Sequence, residues 1–262
     1  MSRARPARAA RLRTLSLWLS AVVLAGIPAG CDDDIAVDPL IDLGPGAVDE
    51  AWFTERKLDY LRFATATVEP EDIVNTLAHL TRDRIDTTYT APDGAVPAEA
   101  WDHALAKMSA LEDTRDFDAL YLLHVVLDYR DHPMLDPGLV DRVERALLDF
   151  KYWYTDPTPA GLIDGSIYWT ENHEIIFLTI EYLMGRAYPD QIFTITGLTG
   201  AEHAERARPR ILRWIELRAR FGFSEWHSNV YYQRDIAPLV TLIEHADDPD
   251  IVTGSAAILD LV

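Results

Sequence analysis

Tyr168-Trp-Thr-Glu-Asn-His-Glu-Ile-Ile-Phe-Leu-Thr-Ile-Glu-Tyr-Leu-Met184 is the stretch whose reading decides the fold. Its apolar residues recur at helical spacing, and strand-like alternation is missing. The spacing predicts a helix over 167–187, with Trp169, Asn172, His173 and Ile176 on one face at i, i+3, i+4 and i+7. That face continues through Phe177, Ile180 and Met184, so it is the stripe that faces the core. Asn172 and His173 therefore point inward, where an unpaired amide or imidazole is costly. They must either pair within the core or line an internal cleft. Glu171 and Glu174 suit the positive end of the helix in any case, which makes them weaker site candidates.

The same pattern extends in both directions. Further helices are expected over 49–66, 70–84, 97–110, 116–130, 137–152, 199–220, 229–246 and 249–262, with proline or glycine breaks between most of them. Thr199-Gly-Ala-Glu202 has the form of a capping box. Gly222 can end the helix before it, and Pro209 should kink that helix or start a second one. The expected fold class is all-α: helical hairpins stacked into an array or an (α/α) toroid. The last segment is apolar to Leu261-Val262 and lacks a polar cap, so 49–262 reads as the front part of a longer, incomplete toroid.

The N-terminal end is different. Residues 1–30 hold five arginines and no acid, followed by an uncharged apolar run from Leu15 to Ile27. At about 13 residues this run is shorter than the roughly 20 a bilayer-spanning helix needs, and it ends in Ala29 and Gly30. Such an order is a secretory signal peptide. Cys31, the one cysteine of the chain, follows directly. The segment resembles the bacterial lipoprotein signal, in which that thiol receives a diacylglycerol and becomes the mature N-terminus. The resemblance implies an exported, lipid-anchored protein of the bacterial cell envelope. Residues 31–48, with Asp32, Asp33, Asp34, Pro39 and Gly44-Pro45-Gly46, then form a polar linker, and the lipid anchor is the only membrane contact expected.

Charge limits the partners. The 262 residues carry 24 Lys plus Arg against 43 Asp plus Glu, a net charge of -19. Such a field disfavours non-specific contact with nucleic acid, and no nucleic-acid partner is expected. There is no phosphate-cradling glycine loop and no nucleophile elbow, so no cofactor is expected. His173-Glu174 begins a zinc-protease pattern, but Phe177 stands where the second histidine belongs, and no metal ligand set is assigned. Six arginines between Arg206 and Arg220 read as a solvated helix face answering acidic neighbours, with an anion pocket as the alternative.

Ten of the 26 aromatic residues fall in two short stretches, 152–169 and 221–232. Rings with polar edges suit the C–H face of a sugar. The first stretch contributes Trp153 and Trp169. The second, Arg220-Phe-Gly-Phe-Ser-Glu-Trp-His-Ser-Asn-Val-Tyr-Tyr232, reads as a loop between helices. Phe221, Phe223 and Trp226 would anchor it, and Glu225, His227 and Tyr231 would serve a site.

Trp169-Thr-Glu-Asn-His173, the helix after it, Phe221-Gly-Phe-Ser-Glu-Trp226 and Tyr231-Tyr232 resemble segments of bacterial exported carbohydrate-active proteins. Those proteins have an (α/α) toroid like that of the alginate, heparin and chondroitin polysaccharide lyases, and the similarity spans about 150–262. In such lyases an asparagine and a histidine neutralise the uronate carboxylate. A tyrosine or histidine takes the C5 proton and protonates the leaving oxygen. The resemblance implies Asn172 and His173 in the first role and Tyr231 or Tyr232 as the base. Trp153, Trp169, Arg220, Glu225, Trp226 and His227 would then contact a polysaccharide or oligosaccharide. Glycoside hydrolysis by a carboxylate pair such as Glu171 and Glu225, and a non-catalytic glycan-binding or scaffold lipoprotein, stay open as alternatives.

Overall fold

The computed structural model describes residues 50–262. The signal segment 1–30, the lipidation position Cys31 and the linker 31–48 lie outside the described residues. Among the described residues there are nine α-helices and no strand, only a single antiparallel bridge between Ile192 and Thr199. They are α1 (Glu50–Ala64), α2 (Ile73–Ile85), α3 (Ala98–Ser109), α4 (Arg115–Leu127), α5 (Pro137–Leu148), α6 (Glu171–Ala187), α7 (Gly200–Phe221), α8 (Tyr232–His245) and α9 (Pro249–Leu259). The described part of the chain is therefore all-α, and no described helix is long and apolar enough to cross a membrane.

The chain divides at Phe63. Taken by itself, the part described before that point is α1, which leaves Trp52, Phe53, Tyr60 and Phe63 exposed. From Ala64 onward the remaining helices build one core. In that unit α2 packs on α4, α4 on α6 and α6 on α8, forming one row; α3 meets α5, and α7 meets α9, as two separate pairs beside it. Hydrogen bonds give the directions. His173 near the start of α6 meets Asp116 near the start of α4, while His124 of α4 meets Thr241 of α8, both farther along. Tyr182 late in α6 reaches Asp247 just past α8. Helices α4, α6 and α8 thus run the same way, and their N-terminal ends gather at one end of the row.

Helix α6 is the centre of this arrangement. Of its 17 residues 13 are buried, because it is flanked by α4, α7 and α8. It is not the amphipathic helix its single stripe implied: a helix apolar on most sides is one wrapped by neighbours. Its approach to α7 is so close that a Cβ on Gly185 would lie 2.4 Å from the Gly200 carbonyl oxygen, and one on Gly200 would lie 2.1 Å from that of Tyr188. Only glycine fits at either position.

Boundary chemistry follows the sequence in several places. Thr199 and Glu202 form the capping box, with Thr199 Oγ1 accepting from the Glu202 amide and Glu202 Oε2 accepting from the Thr199 amide. Gly222, at φ 72°, ends α7. Pro209 does not divide that helix, which runs through it as one element. The N-terminal end of α6 differs from the expectation. Thr170 is its cap, in extended conformation, and helix begins at Glu171. Trp169 therefore precedes the helix, does not share the face of Asn172 and His173, and stands 76% exposed.

Candidate functional site

The site is built on the first turn of α6. Asn172 and His173 are both buried, as their helical phase requires. Asn172 Oδ1 accepts from Thr170 Oγ1 at 2.6 Å and from the His173 amide at 2.9 Å. These bonds fix the amide and turn its nitrogen toward other partners. Among the described residues Nδ2 has no hydrogen bond, yet it is not fully occluded. His173 Nδ1 lies 2.8 Å from Asp116 Oδ2, and the ring stacks on Phe117 at 4.9 Å. Its Nε2 is likewise unpartnered and retains a trace of solvent contact. A carboxylate on one ring nitrogen sets the tautomer and aims the other, which is how histidines are prepared to exchange protons or bind anions. Burial raises the pKa of Asp116, and the bond to His173 opposes that rise.

Behind the dyad, the strap before α6 is pinned by Arg115, which is fully buried. Its guanidinium donates to Ser166 Oγ, to the Lys151 carbonyl and to Tyr168 Oη, and lies 4.1 Å from the Phe150 ring centroid. Tyr168 and Tyr152 are consequently core residues, whereas Tyr154 and Trp169 from the same aromatic stretch are exposed. Trp153 lies between these extremes, half-buried, its ring 4.7 Å from the Arg210 guanidinium.

The two aromatic stretches do meet. Both carboxylate oxygens of Glu171 accept from the Ser224 amide at 2.9 Å, and Arg218 donates to the same carboxylate. The Glu171 carbonyl accepts from Trp214 Nε1 at 2.9 Å. Residues 222–231 are thereby stapled to the start of α6. Within that loop Phe223 alone anchors in the core as expected. Phe221 and Trp226 are 77% and 67% exposed, because the bonds to Glu171 already hold the loop and leave the rings outside. Trp226 packs edge-on against His227, whose φ of 55° is a left-handed conformation costing about 1 kcal/mol for a residue with a Cβ. The His227 amide donates to Tyr232 Oη, so that phenol is already a fixed acceptor; Tyr231 caps α8 and is exposed. Glu225 is exposed as well. Arg220 lies on the outer face of α7 and pairs with Glu216.

Of the six arginines of α7, Arg206, Arg208, Arg213, Arg218 and Arg220 answer acids, as the charge pattern implied. Arg210 makes no ion pair among the described residues; it lies over Trp153, with Nη1 buried and unpartnered.

Three acids here gain weight that sequence reasoning did not give them. Asp116 is the orienter of His173. Asp235, in the first turn of α8, is 2% exposed and its Oδ1 has no partner. Burial, reinforced by the charges of Glu171 and Glu225 and opposed by Arg218, pushes its pKa up to about 7. Glu174, half-buried, is also raised, by burial against the pull of Arg218 and Arg210. Perturbed carboxyls around an oriented histidine form the combination from which general acid–base chemistry is assembled. Asp116 and Asp235 are first-turn acids, which look from sequence like ornaments of the helix dipole; only their burial marks them out.

The ends of α4, α6 and α8 gathered here bring three partial positive charges to one place. Arg234, whose guanidinium lies 4.4 Å from the Phe117 ring centroid, adds a cation there, while Arg218 is already paired with Glu171. No metal-ligating trio forms at this end among the described residues; the one that exists is His124, Asp128 and His245, on the opposite ends of α4 and α8. No protein-family model, curated protein or solved structure matches this chain.

Proposed function

We propose that the chain is an exported lipoprotein, tethered through Cys31, whose helical hairpins form an (α/α) toroid acting on an acidic polysaccharide by β-elimination. Support for the toroid comes from the row α2–α4–α6–α8 with the pairs α3–α5 and α7–α9 beside it, since alternation between two layers of helices is what such a ring requires. The observation that carries the activity is the state of Asn172 and His173. Each has one polar atom fixed by the protein and the other left without a partner, near the N-terminal ends of three helices and the Arg234 guanidinium. A uronate carboxylate is an anion suited to that place, and it gains negative charge as a base, the exposed Tyr231 phenol, takes the neighbouring C5 proton and passes it to the leaving oxygen. The Asn172 amide, and His173 Nε2 when the ring carries its second proton, are donors already held in position, and they stabilise that charge without reorganising. The exposed faces of Trp169, Trp226 and Tyr154 suit sugar rings flanking the reacting unit.

A second reading, glycoside hydrolysis, is favoured by Asp235: a carboxyl titrating near 7 retains its proton and can serve as the acid that protonates a leaving oxygen.

Incubation of the purified protein with alginate, heparin, chondroitin and a neutral glucan separates these. β-Elimination yields the ultraviolet absorbance of an unsaturated uronide, and His173→Ala should reduce its rate about 10²- to 10⁴-fold with the helical content unchanged. Asp116→Asn, which keeps the bulk but not the charge, should reduce it about 10- to 100-fold. Saturated reducing ends would replace elimination by hydrolysis. Saturable binding without turnover of any polymer would leave a glycan-binding lipoprotein.

A further inference from the structure

At the C-terminal ends of α4 and α8, far from the site above, His124, Asp128 and His245 place three ligating atoms within 4.8 Å of one another. His124 Nδ1 lies 2.8 Å from Asp128 Oδ2, and His245 Nε2 lies 3.4 Å from the same oxygen. Counting protons shows what this arrangement lacks. Thr241 Oγ1 spends its one hydrogen on the Ala237 carbonyl at 2.8 Å, so toward His124 Nε2, 3.3 Å away, it only accepts. Nε2 therefore carries the ring's proton, and the lone pair of a neutral His124 at Nδ1 points at a carboxylate oxygen. The His245 side chain is nine-tenths buried, and its Nε2 is fully occluded with no hydrogen-bond partner. Two imidazoles thus converge on one carboxylate with less hydrogen between them than the geometry calls for.

A cation at the centre resolves all three contacts. We infer that His124, Asp128 and His245 bind a divalent first-row transition ion, joining the end of α4 to the end of α8. Two imidazole nitrogens and one carboxylate oxygen are a borderline donor set that suits zinc and its neighbours rather than calcium or magnesium. Thr241 plays the outer role, fixing the His124 tautomer so that Nδ1 is free to ligate. The negative ends of two helices favour positive charge there. Arg84 donates to the Asp128 carbonyl at 3.3 Å rather than to its side chain, so the carboxylate is left to the two rings. Three protein ligands leave a fourth position for water.

The site is independent of the proposed activity, and its test does not measure turnover. Titration of the chelator-treated full-length protein with zinc ion alone, followed by calorimetry, should show one equivalent bound per chain. Cobalt substituted at the same place should give the visible bands of a tetrahedral ion. His245→Gln and Asp128→Asn should each weaken zinc binding by about 100-fold or more, whereas His103→Ala, at an exposed histidine of α3, should leave it unchanged. Absence of one-equivalent uptake by the unaltered protein would overturn the inference, whatever the variants do. Equal binding by His245→Gln, or loss of binding in His103→Ala, would assign the metal to surface histidines and overturn it as well. Retention of the cobalt spectrum in Asp128→Asn would have the same effect.

Discussion

A histidine held at 2.8 Å by a buried carboxylate occurs twice along α6, and the two pairs have opposite characters. Near the C-terminal end of the helix, Glu181 Oε1 meets His203 Nδ1, while His203 Nε2 is taken by Thr196 Oγ1 at 2.7 Å. Arg206 donates to the same Glu181 oxygen and, with two nitrogens, to Asp156. His203 also stacks on Phe193 at 4.3 Å. Both ring nitrogens are satisfied, and the unpartnered Glu181 Oε2 is sealed from solvent. At the N-terminal end, Asp116 holds His173 in the same way, but Nε2 of that ring is free. One pair closes the joint between α6 and α7. The other stops one hydrogen bond short. Both places pair a histidine with a buried carboxylate; what separates structure from candidate chemistry is whether the far ring nitrogen of the histidine has a partner.

The contrast is broken most severely at the closed pair. Arg206→Ala would leave Glu181 and Asp156 as buried acids without their shared cation. Truncating one member of a buried ion network typically costs about 3–5 kcal/mol. We expect a loss of that size in denaturant unfolding, with binding at the α6 start altered only in proportion to the folded fraction. A stable Arg206→Ala protein with impaired carbohydrate turnover would reverse the roles assigned to the two ends.

At the open end the expected sign is the opposite. The pKa of Asp235 in the folded chain is raised from its usual 3.8 to about 7, chiefly by burial. Below about pH 3.8 the carboxyl is protonated folded or unfolded, and it adds no penalty. Between there and pH 7 the folded chain binds the extra proton, so this group's effect on stability becomes steadily less favourable as pH rises and then levels off. The full cost above pH 7 is at most about 4 kcal/mol for a shift of this extent. Asp235→Asn removes it. The variant should be more stable than the unaltered protein at pH 8, by an amount that vanishes at pH 4, as followed by thermal melting across that range. Gain of stability together with loss of turnover would mark Asp235 as a working group held at a cost, whereas lower stability at pH 8 would show that its carboxylate is needed for the fold.

How far this contrast was legible in the sequence depends on the range of the interactions that make it. The helices, the capping box at Thr199 and the termination at Gly222 rest on neighbours a few positions apart, and the sequence states them directly. That Asn172 and His173 face inward also follows from local phase. The partner of His173 does not: Asp116 is 57 positions away, and nothing near it distinguishes it from Asp118 two residues on. Asp235 is hidden for the same reason. Trp169 shows the reverse error. Its place in the helical stripe depended on where α6 begins, and a cap at Thr170 moved it from the core to the surface. The His124–Asp128–His245 trio escaped because two of its members form an ordinary i, i+4 pair, and the third arrives from another helix.

The smallest effect should come from the surface of the open end, and it is the one that separates anchoring from recognition. Trp169 and Trp226 contribute little to the core, being 76% and 67% exposed. Trp169→Ala should therefore change unfolding free energy by no more than about 0.5 kcal/mol, as surface substitutions usually do. If its ring face stacks on sugar, the same change should weaken oligosaccharide binding by about 1 kcal/mol, roughly fivefold in Kd, with the rate at saturation little altered. Such a ring contributes equally to ground and transition states, so its loss raises KM and spares kcat. Unaltered binding by Trp169→Ala and Trp226→Ala together would place the sugar elsewhere. The free edges of Asn172 and His173 would then be waiting for some other anion.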